Sequence, residues 1–479
     1  MKKFLAMSAL IPVLLALLLA GCTLDDPDHP TGLTDVTNGV PYMALGNSLT
    51  AGFMDGGLIM SGQMSSFPLL IARQMGLDTS IGVGEFTQPY VFRPGIGTST
   101  PTDPAHVAGV LHFNGTGLDV LGETPLASLT DLLPALTQPT PYENLGVPGA
   151  ALVDVMNAYD AASSHGASLG RPNAFFNFIN RAAFFGVPDS DNPMLQPTML
   201  TAGIAKGARV ATLWIGNNDV LGGATTGNPV QGENITPLDE FAAQYTATLM
   251  TLAGGLAQRN GVPSYIVVGN IGDITDLPYF LTKATFEAAL GGSPWPWGYA
   301  EGNDDDGMLM TFPALRWVQD PSNQGAALPS HYTLTSTEVT TVGGIVDAYN
   351  AVINNTINMV NAQYPGTCAL FDANALMADL DARHKTHFML LLPQMENDVG
   401  AAAATTYFSL DGVHPNPKGY GLVANAVLEV INDLTDADYP MVDLNTLSWD
   451  PAYGHPLQKE ANGPLLTPEA AIVLENMFQ

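Results

Sequence analysis

Two apolar segments place the strongest limit on how this chain can fold. Residues 209–216, RVATLWIG, and residues 264–270, SYIVVGN, carry apolar side chains at almost every position rather than at alternate positions. Strands with this pattern are buried on both faces, as in a parallel sheet that is covered by helices on either side. The two segments therefore predict the middle of an α/β fold.

Three shorter segments are expected to join these two strands in one sheet. They are YMALG (42–46), YENLG (142–146) and CALFD (368–372). Helical patterns separate the five segments along the chain. Strands that alternate with helices favour a parallel sheet with helices on both faces.

The clearest predicted helix lies between the two central strands. Apolar residues recur every three or four positions from Leu238 to Leu256, after a predicted N-cap at Thr236 and before a predicted stop at Gly261. The same spacing predicts helices through residues 345–357 and 418–434.

Long segments rich in Pro, Gly, Thr and aromatic residues interrupt this alternation. They cover about residues 78–140, 160–205 and 276–340, and we interpret them as insertions in one domain that spans residues 40–435. Loops of this length are usually functional or contain small elements of their own. Residues 436–479 are expected to form a C-terminal extension packed on the same domain.

The first 22 residues, MKKFLAMSALIPVLLALLLAGC, have the basic start and short apolar run of a secretory signal. The ending Leu-Ala-Gly-Cys resembles the lipobox of bacterial lipoproteins. We therefore expect a signal peptide at 1–21, a lipidated Cys22 and a polar tether at 22–39. An ordinary signal peptide with a coincidental cysteine is the alternative. The resemblance implies a bacterial cell envelope location, and Thr23 after the cysteine favours the outer membrane.

The charge and the cysteine content make a nucleic-acid partner and an internal disulfide unexpected. The net charge is −30, from 45 acidic and 15 basic residues, so a nucleic-acid partner is not expected. The chain has two cysteines, Cys22 and Cys368. If Cys22 carries lipid, no internal disulfide can form, and we expect Cys368 to be a buried core thiol.

Polar residues follow the predicted strands where a ligand would bind, beyond the C-terminal ends of a parallel sheet. Ser48 follows the first strand, Gly149 lies in the loop LGVPGAAL after the second, and Asn218 follows the third in IGNNDVLGG. Asp411 and His414 precede the last helix in FSLDGVHPNPKGY.

These residue types suit acyl transfer. A serine hydroxyl needs a base, His414 is suited to that task at neutral pH, and Asp411 is near enough to orient it. The Ser48 and Gly149 amides and the Asn218 side chain could supply the donors that an oxyanion requires.

The motifs GNSL, GVPGA, GNND and DGVHP, which contain Ser48, Gly149, Asn218 and His414, resemble in order the four conserved-sequence blocks of the SGNH (GDSL) hydrolase family. The resemblance implies a three-layer α/β/α, flavodoxin-like fold with a five-stranded parallel sheet. It implies a catalytic triad of Ser48, His414 and Asp411, and an oxyanion hole built from Ser48, Gly149 and Asn218.

The chain departs from the family pattern in two ways. Asn47 stands where the family has Asp before the serine, and we expect little loss of activity because Asp411 supplies the acid. The long insertions are the second departure, since they separate the motifs further than in a compact member, and they resemble those of lipoprotein members with similarly long insertions.

Other chemistries are less consistent with the sequence. His384 and His387 in HKTH could face a metal, but no third neutral ligand is evident, and we expect a solvated polar face. The loop EGNDDDG (301–307) lacks the ligand spacing of a calcium-binding EF-hand. GVPGA lacks the GxGxxG spacing of a dinucleotide site. Trp295, Trp297 and Tyr299 are expected to pack within an insertion rather than to form an acyl or sugar platform.

The sequence thus predicts a serine-dependent acyl ester hydrolase of the esterase or lipase type, with no metal and no cofactor. Its substrate would be a lipid or an acylated glycan. The alternatives are a surface binding lipoprotein without turnover, an acyltransferase and a carbohydrate deacetylase.

Overall fold

The computed structural model describes residues 39–97, 105–133, 141–180, 197–292, 295–300, 304–454 and 465–477. The strands, in chain order, are β1 Tyr42–Gly46, β2 His106–Ala108, β3 Leu111–Phe113, β4 Leu118–Val120, β5 Glu123–Pro125, β6 Asn144–Gly146, β7 Val210–Trp214, β8 Tyr265–Gly269, β9 Phe280–Thr282, β10 Leu309–Thr311, β11 Thr333–Leu334 and β12 Cys368–Phe371.

Helices occupy both the gaps between these strands and the C-terminal segment. They are α1 Ser48–Ala51, α2 Met60–Gln63, α3 Phe67–Gln74, α4 Asp154–Asn157, α5 His165–Ser168, α6 Phe175–Ile179, α7 Met199–Lys206, α8 Asn218–Thr225, α9 Leu238–Asn260, α10 Lys283–Ala289, α11 Ala314–Gln319, α12 Ser336–Gln363, α13 Ala373–Ala378, α14 Phe388–Leu391, α15 Val399–Thr405, α16 Pro417–Thr435 and α17 Pro468–Asn476.

The five predicted strands form one sheet in the order β12-β8-β7-β1-β6, and every pair in it is parallel. Successive side chains of a strand point to opposite faces. Tyr42 and Ala44 therefore pack beneath α3 and α16, whereas Met43 and Leu45 belong to the core that α7, α9 and α12 cover. The predicted three-layer α/β/α fold with a five-stranded parallel sheet is confirmed.

Helices α9 and α16 begin and end close to their predicted limits, whereas α12, Ser336–Gln363, extends beyond the predicted residues 345–357 at both ends. Helix α9 ends at Gly261, whose φ of 72° is the left-handed conformation that glycine adopts without strain. Its start differs from the prediction, because Pro237 rather than Thr236 holds the N-cap position. The Thr236 hydroxyl instead donates to Asp219 Oδ1 at 2.8 Å.

The predicted insertions contain small elements of their own. Residues 78–133 carry two antiparallel pairs, β2 with β5 and β3 with β4. Residues 276–340 carry the antiparallel sheet β11-β10-β9. Parts of all three insertions lie outside the described residues.

Two further features bear on the predictions. Cys368 is buried, as expected, and burial raises the pKa of its thiol to about 12. Among the described residues, no helix combines the length and apolar character needed to cross a membrane. The predicted signal peptide, Cys22 and the tether up to residue 38 lie outside the described residues.

Candidate active site

Ser48 is the first residue of α1, just beyond the end of β1. The strand and helix meet closely, since a Cβ on Gly46 would lie 2.2 Å from Thr50 Oγ1 and 2.4 Å from the Trp214 carbonyl oxygen. Only glycine fits at that position. The tight turn projects the Ser48 side chain over the C-terminal edge of the sheet.

The structure brings Ser48, His414 and Asp411 into one chain of hydrogen bonds. Asp411 Oδ2 lies 3.0 Å from His414 Nδ1, and His414 Nε2 lies 2.8 Å from Ser48 Oγ. Because Nδ1 faces a carboxylate, it carries the ring proton, and Nε2 is left to accept the proton of the serine hydroxyl. The serine is thereby paired with a base that is itself oriented by an acid.

Asp411 is fully buried but stays ionised. Burial opposes its charge, yet the attraction of His414 and the hydrogen bonds from His414 and Val413 outweigh that penalty and lower the pKa of Asp411. Its Oδ1 accepts the amides of Val413 and His414, at 2.9 and 2.8 Å, and its Oδ2 also accepts the Gly56 amide at 2.9 Å. A carboxylate fixed by this many donors can hold the imidazole in one orientation.

The predicted oxyanion donors come from three separate segments: the first residues of α1 and α8, and the loop after β6. The Ser48 and Gly149 amides donate to no acceptor within the described parts of the chain. Asn218 Nδ2 donates to the Ala150 carbonyl at 2.8 Å, and its second hydrogen has no acceptor among the residues that the structure describes. Gly149 has a φ of 73°, and Asn173 Nδ2 holds its turn by donating to the Pro148 carbonyl at 2.7 Å.

The residue after Asn218 has a role that the sequence did not reveal. Asp219 is buried, and its Oδ2 accepts the Leu152 amide at 2.9 Å while its Oδ1 accepts the Thr236 hydroxyl. Asn218 and Asp219 thus hold the loop of residues 147–152 from two sides. Burial raises the pKa of Asp219 to about 7, despite these hydrogen bonds, and the nearby Asp154 carboxylate adds to the rise.

Asn47, the departure from the family pattern, connects the segment that carries Ser48 to the segment that carries Asn218. It is buried, its Oδ1 accepts the Leu49 amide at 3.1 Å, and its Nδ2 donates to Asn217 Oδ1 at 3.2 Å. The amide therefore caps the first turn of α1 and joins Ser48's helix to the loop that carries Asn218.

A cavity of about 110 Å³ opens beside Ser48 and His414. Its wall is mainly aliphatic and aromatic, and it includes Leu221, Leu277, Leu376, Met377, Phe408 and Leu422. Ser48, Asn47 and Asn218 also line it. No sequence pattern indicates this cavity, because its wall comes from segments far apart in the chain.

The alternative sites that the sequence raised are not assembled in the part of the chain that the structure describes. His387 was expected on a solvated face, and this expectation is wrong. Its ring is buried, its Nδ1 accepts the Met389 amide and its Nε2 donates to the Leu410 carbonyl at 3.0 Å. Burial lowers the pKa of His387 to about 4, so the ring is neutral.

Within the described residues, no group of three or more His, Cys, Asp or Glu side chains could hold a metal ion. In the loop EGNDDDG, residues 301–303 lie outside this description, and Asp304 pairs with Lys283. Trp295 packs edge-on against Trp297 and Trp317, with ring centroids 4.5 and 6.0 Å apart. Trp295, Trp297 and Tyr299 are not among the residues that line the cavity beside Ser48.

Comparison with known proteins agrees with the sequence motifs. The family model described as GDSL-like Lipase/Acylhydrolase matches residues 42–427, a range that contains all of the residues that form the site. No curated protein gives a match to the chain.

Proposed function

Because the chain belongs to the family of GDSL-like lipases and acylhydrolases, we propose that it hydrolyses carboxylic esters through an acyl-enzyme on Ser48. The observation that carries the proposal is the unbroken chain of hydrogen bonds from Asp411 through His414 to Ser48. A serine that is paired with an oriented base is an activated nucleophile. The proposed reaction uses only side chains and backbone amides of this chain.

In the first half-reaction, Ser48 Oγ attacks the ester carbonyl carbon as His414 Nε2 takes the hydroxyl proton. The carbonyl oxygen becomes an oxyanion, and the amides of Ser48 and Gly149 and the side chain of Asn218 are its proposed donors. His414 then passes its proton to the departing alcohol, and the acyl group stays on Ser48. In the second half-reaction, His414 activates a water, which releases the acid and restores the serine.

The cavity indicates what the acyl group should be. Its wall is apolar, so it favours a hydrocarbon chain over a sugar or a charged group. A cavity of about 150 Å³ holds benzene, so about 110 Å³ corresponds to a chain of roughly four to six carbons, well beyond acetyl. We therefore place the acyl chain in this cavity and the alcohol on the solvent side of Ser48.

A series of aryl esters from acetyl to palmitoyl tests this assignment. We expect kcat/KM to peak at chains of roughly four to six carbons and to fall both for acetyl, which leaves the cavity unfilled, and for palmitoyl, which exceeds it. Met377→Trp, which would fill the cavity, should move the preference towards acetyl, whereas Met359→Trp, at a site 48% exposed on α12, should not. A wild-type preference for acetyl would exclude the acyl-chain assignment and favour the deacetylase alternative.

The same assay separates hydrolysis from acyl transfer. If a simple alcohol added to the reaction becomes the main acyl acceptor at low concentration, the protein is an acyltransferase. We expect water to remain the main acceptor.

For location, we propose that lipid on Cys22 attaches the protein to the bacterial cell envelope. The support is the sequence of residues 1–22, with its basic start, apolar run and Leu-Ala-Gly-Cys ending. Several acyl chains anchor a protein stably where one does not. Growth with an alkyne-labelled fatty acid should label the wild-type chain but not Cys22→Ser, and an unlabelled wild-type chain would exclude the anchor.

A further inference from the structure

Asp55 is a buried carboxylate that the proposed reaction does not use, although it is near enough to Asp411 to interact with its charge. It follows Ser48 by seven residues, has no exposed surface and adopts a left-handed φ of 56°, which is uncommon for a residue other than glycine. A buried acid in an unfavourable backbone conformation persists only where its contacts hold it there.

Those contacts connect Asp55 to the loop that carries Asp411. The Asp55 amide donates to Ser409 Oγ at 3.0 Å, and Asp55 Oδ1 accepts the Leu410 amide at 2.8 Å. The next amide, of Gly56, donates to Asp411 Oδ2, the same oxygen that accepts His414 Nδ1. Residues 55 and 56 therefore fix both the backbone before Asp411 and its carboxylate.

The remaining oxygen of Asp55 is held by the C-terminal segment. Asp55 Oδ2 accepts the Tyr453 hydroxyl at 2.5 Å and Trp449 Nε1 at 3.2 Å. Both residues lie beyond residue 427, where the family match ends. Asp55 lies within the family match, and its two side-chain donors, Trp449 and Tyr453, lie outside it.

The segment that carries these donors is itself firmly docked. Asp450 accepts the amides of Ala452 and Gly454, which closes the turn around Tyr453. The Pro451 carbonyl accepts the Phe113 amide from β3 at 2.7 Å, and the Trp449 ring packs edge-on against Phe388. The hydroxyl and the indole are thereby presented to Asp55 in fixed positions.

We propose that Tyr453 and Trp449 are positioning residues for catalysis, which act through Asp55 and Gly56 to hold the Asp411 carboxylate against His414. The C-terminal extension is then part of the catalytic apparatus and not only a cover for the domain. This inference rests on the proposed acyl-enzyme mechanism.

The decisive variant is Tyr453→Phe in the full chain, which removes one hydroxyl and keeps the ring. Its matched control is Tyr439→Phe, because the Tyr439 hydroxyl, in the same segment, has no hydrogen-bond partner among the described residues. We expect Tyr453→Phe to lower kcat about tenfold with little change in KM, since a misplaced acid weakens only the transition state. Tyr439→Phe should match the wild type.

A double-mutant cycle excludes a merely structural role. If Tyr453 acts through Asp411, then Tyr453→Phe should have less than a twofold effect on kcat when Asp411→Asn is already present. Equal effects in both backgrounds, or a wild-type kcat in Tyr453→Phe alone, would overturn the proposal. If Tyr453→Phe does not fold, as thermal unfolding would reveal, Trp449→Phe carries the same cycle.

A readout without turnover separates this inference from the proposed function. The proton shared between His414 Nδ1 and Asp411 should give a downfield proton resonance that shifts or broadens in Tyr453→Phe but not in Tyr439→Phe. An unchanged resonance would contradict the positioning role. A wild-type protein that shows the resonance but cleaves no ester would contradict the proposed function instead.

Discussion

The two sides of the candidate site are built in the same way but carry different charges. On the acid side, the Asp411 loop is held by Asp55, and on the oxyanion side, the Gly149 loop is held by Asp219. Each side therefore contains a buried aspartate that accepts a backbone amide of the loop. Each also contains a second buried aspartate, which is Asp411 on one side and Asp154 on the other.

The difference lies in what these carboxylates face. Asp411 faces His414, and its pKa is lowered, although burial alone would raise it. Burial raises the pKa values of Asp55 and Asp219 to about 7, and a second carboxylate nearby adds to the rise. Their hydrogen-bond donors are neutral and offset it only in part. Burial alone therefore does not identify the proposed catalytic acid, whereas a histidine partner does.

The largest expected loss of kcat comes from a substitution on the acid side. Asp411→Asn keeps the shape of the side chain but removes the charge that orients and stabilises protonated His414. We expect kcat to fall by about 10³- to 10⁴-fold, as it does when a triad acid loses its charge. Steady-state kinetics on a short-chain aryl ester would measure the loss, and a loss below tenfold would contradict the assignment of the acid.

A smaller loss of kcat is expected from a substitution on the oxyanion side. Asn218→Ala removes one proposed oxyanion donor and should lower kcat by about 10²- to 10³-fold with a modest change in KM. Asn217→Ala is a useful comparison, because Asn217 also lines the cavity but its side-chain amide oxygen is already bonded to Asn47 and is not a proposed oxyanion donor. If the two variants lose equal activity, Asn218 has no special contact with the transition state.

The pH dependence of stability should have opposite signs for Asp219, on the oxyanion side, and Asp411, on the acid side. Folded Asp219 keeps its proton up to about pH 7, whereas an unfolded aspartate loses it near 4. Its contribution to the free energy of unfolding is therefore full below pH 4 and is lost as the pH rises to about 7. Asp219→Asn should gain on the order of 2–4 kcal/mol relative to the wild type across this range.

Asp411→Asn should change the pH dependence of stability in the opposite direction to Asp219→Asn. The pKa of Asp411 is lowered, so its contribution is present above the ordinary aspartate value and is lost as the pH falls below it. Denaturant unfolding of both variants at several pH values gives the comparison. Differences of the same sign for both variants would contradict the assigned charge states.

The smallest expected effect concerns Asn47. In Asn47→Asp, a carboxylate oxygen can still accept the Leu49 amide, and rotation of the Asn217 amide would restore the second hydrogen bond. We therefore expect kcat/KM to change by about threefold or less, within the cost of one adjusted hydrogen bond. Asn47→Ala loses both bonds and should cost more, and equal losses in the two variants would show that the charge matters.

The sheet could be predicted from the sequence because burial on both faces leaves a continuous apolar pattern. The candidate site residues could be proposed for a related reason: the motifs of Ser48, Gly149 and Asn218 follow the ends of parallel strands, which meet at one edge, and the motif of Asp411 and His414 precedes the last helix of the domain. Ser48 and His414 are 366 positions apart, yet each motif could be read locally.

The supporting contacts could not be predicted, because they depend on pairs of distant residues. Asp55, between methionine and glycine, has the sequence of an ordinary turn, and its partner Tyr453 lies 398 positions away. His387 stands in a polar stretch, and only the folded chain shows that its ring is buried against Phe312, with ring centroids 3.7 Å apart. Thr236 suits an N-cap by type, but the buried Asp219 takes its hydroxyl instead.

Labelling with a fluorophosphonate probe tests the central claim most directly, because the probe reacts only with an activated serine. We predict that the wild-type chain gains one phosphonyl group, that mass spectrometry of peptides locates it on Ser48, and that Ser48→Ala gains none. Labelling of Ser48→Ala to the wild-type extent, or no labelling of a folded wild-type chain, would contradict the account.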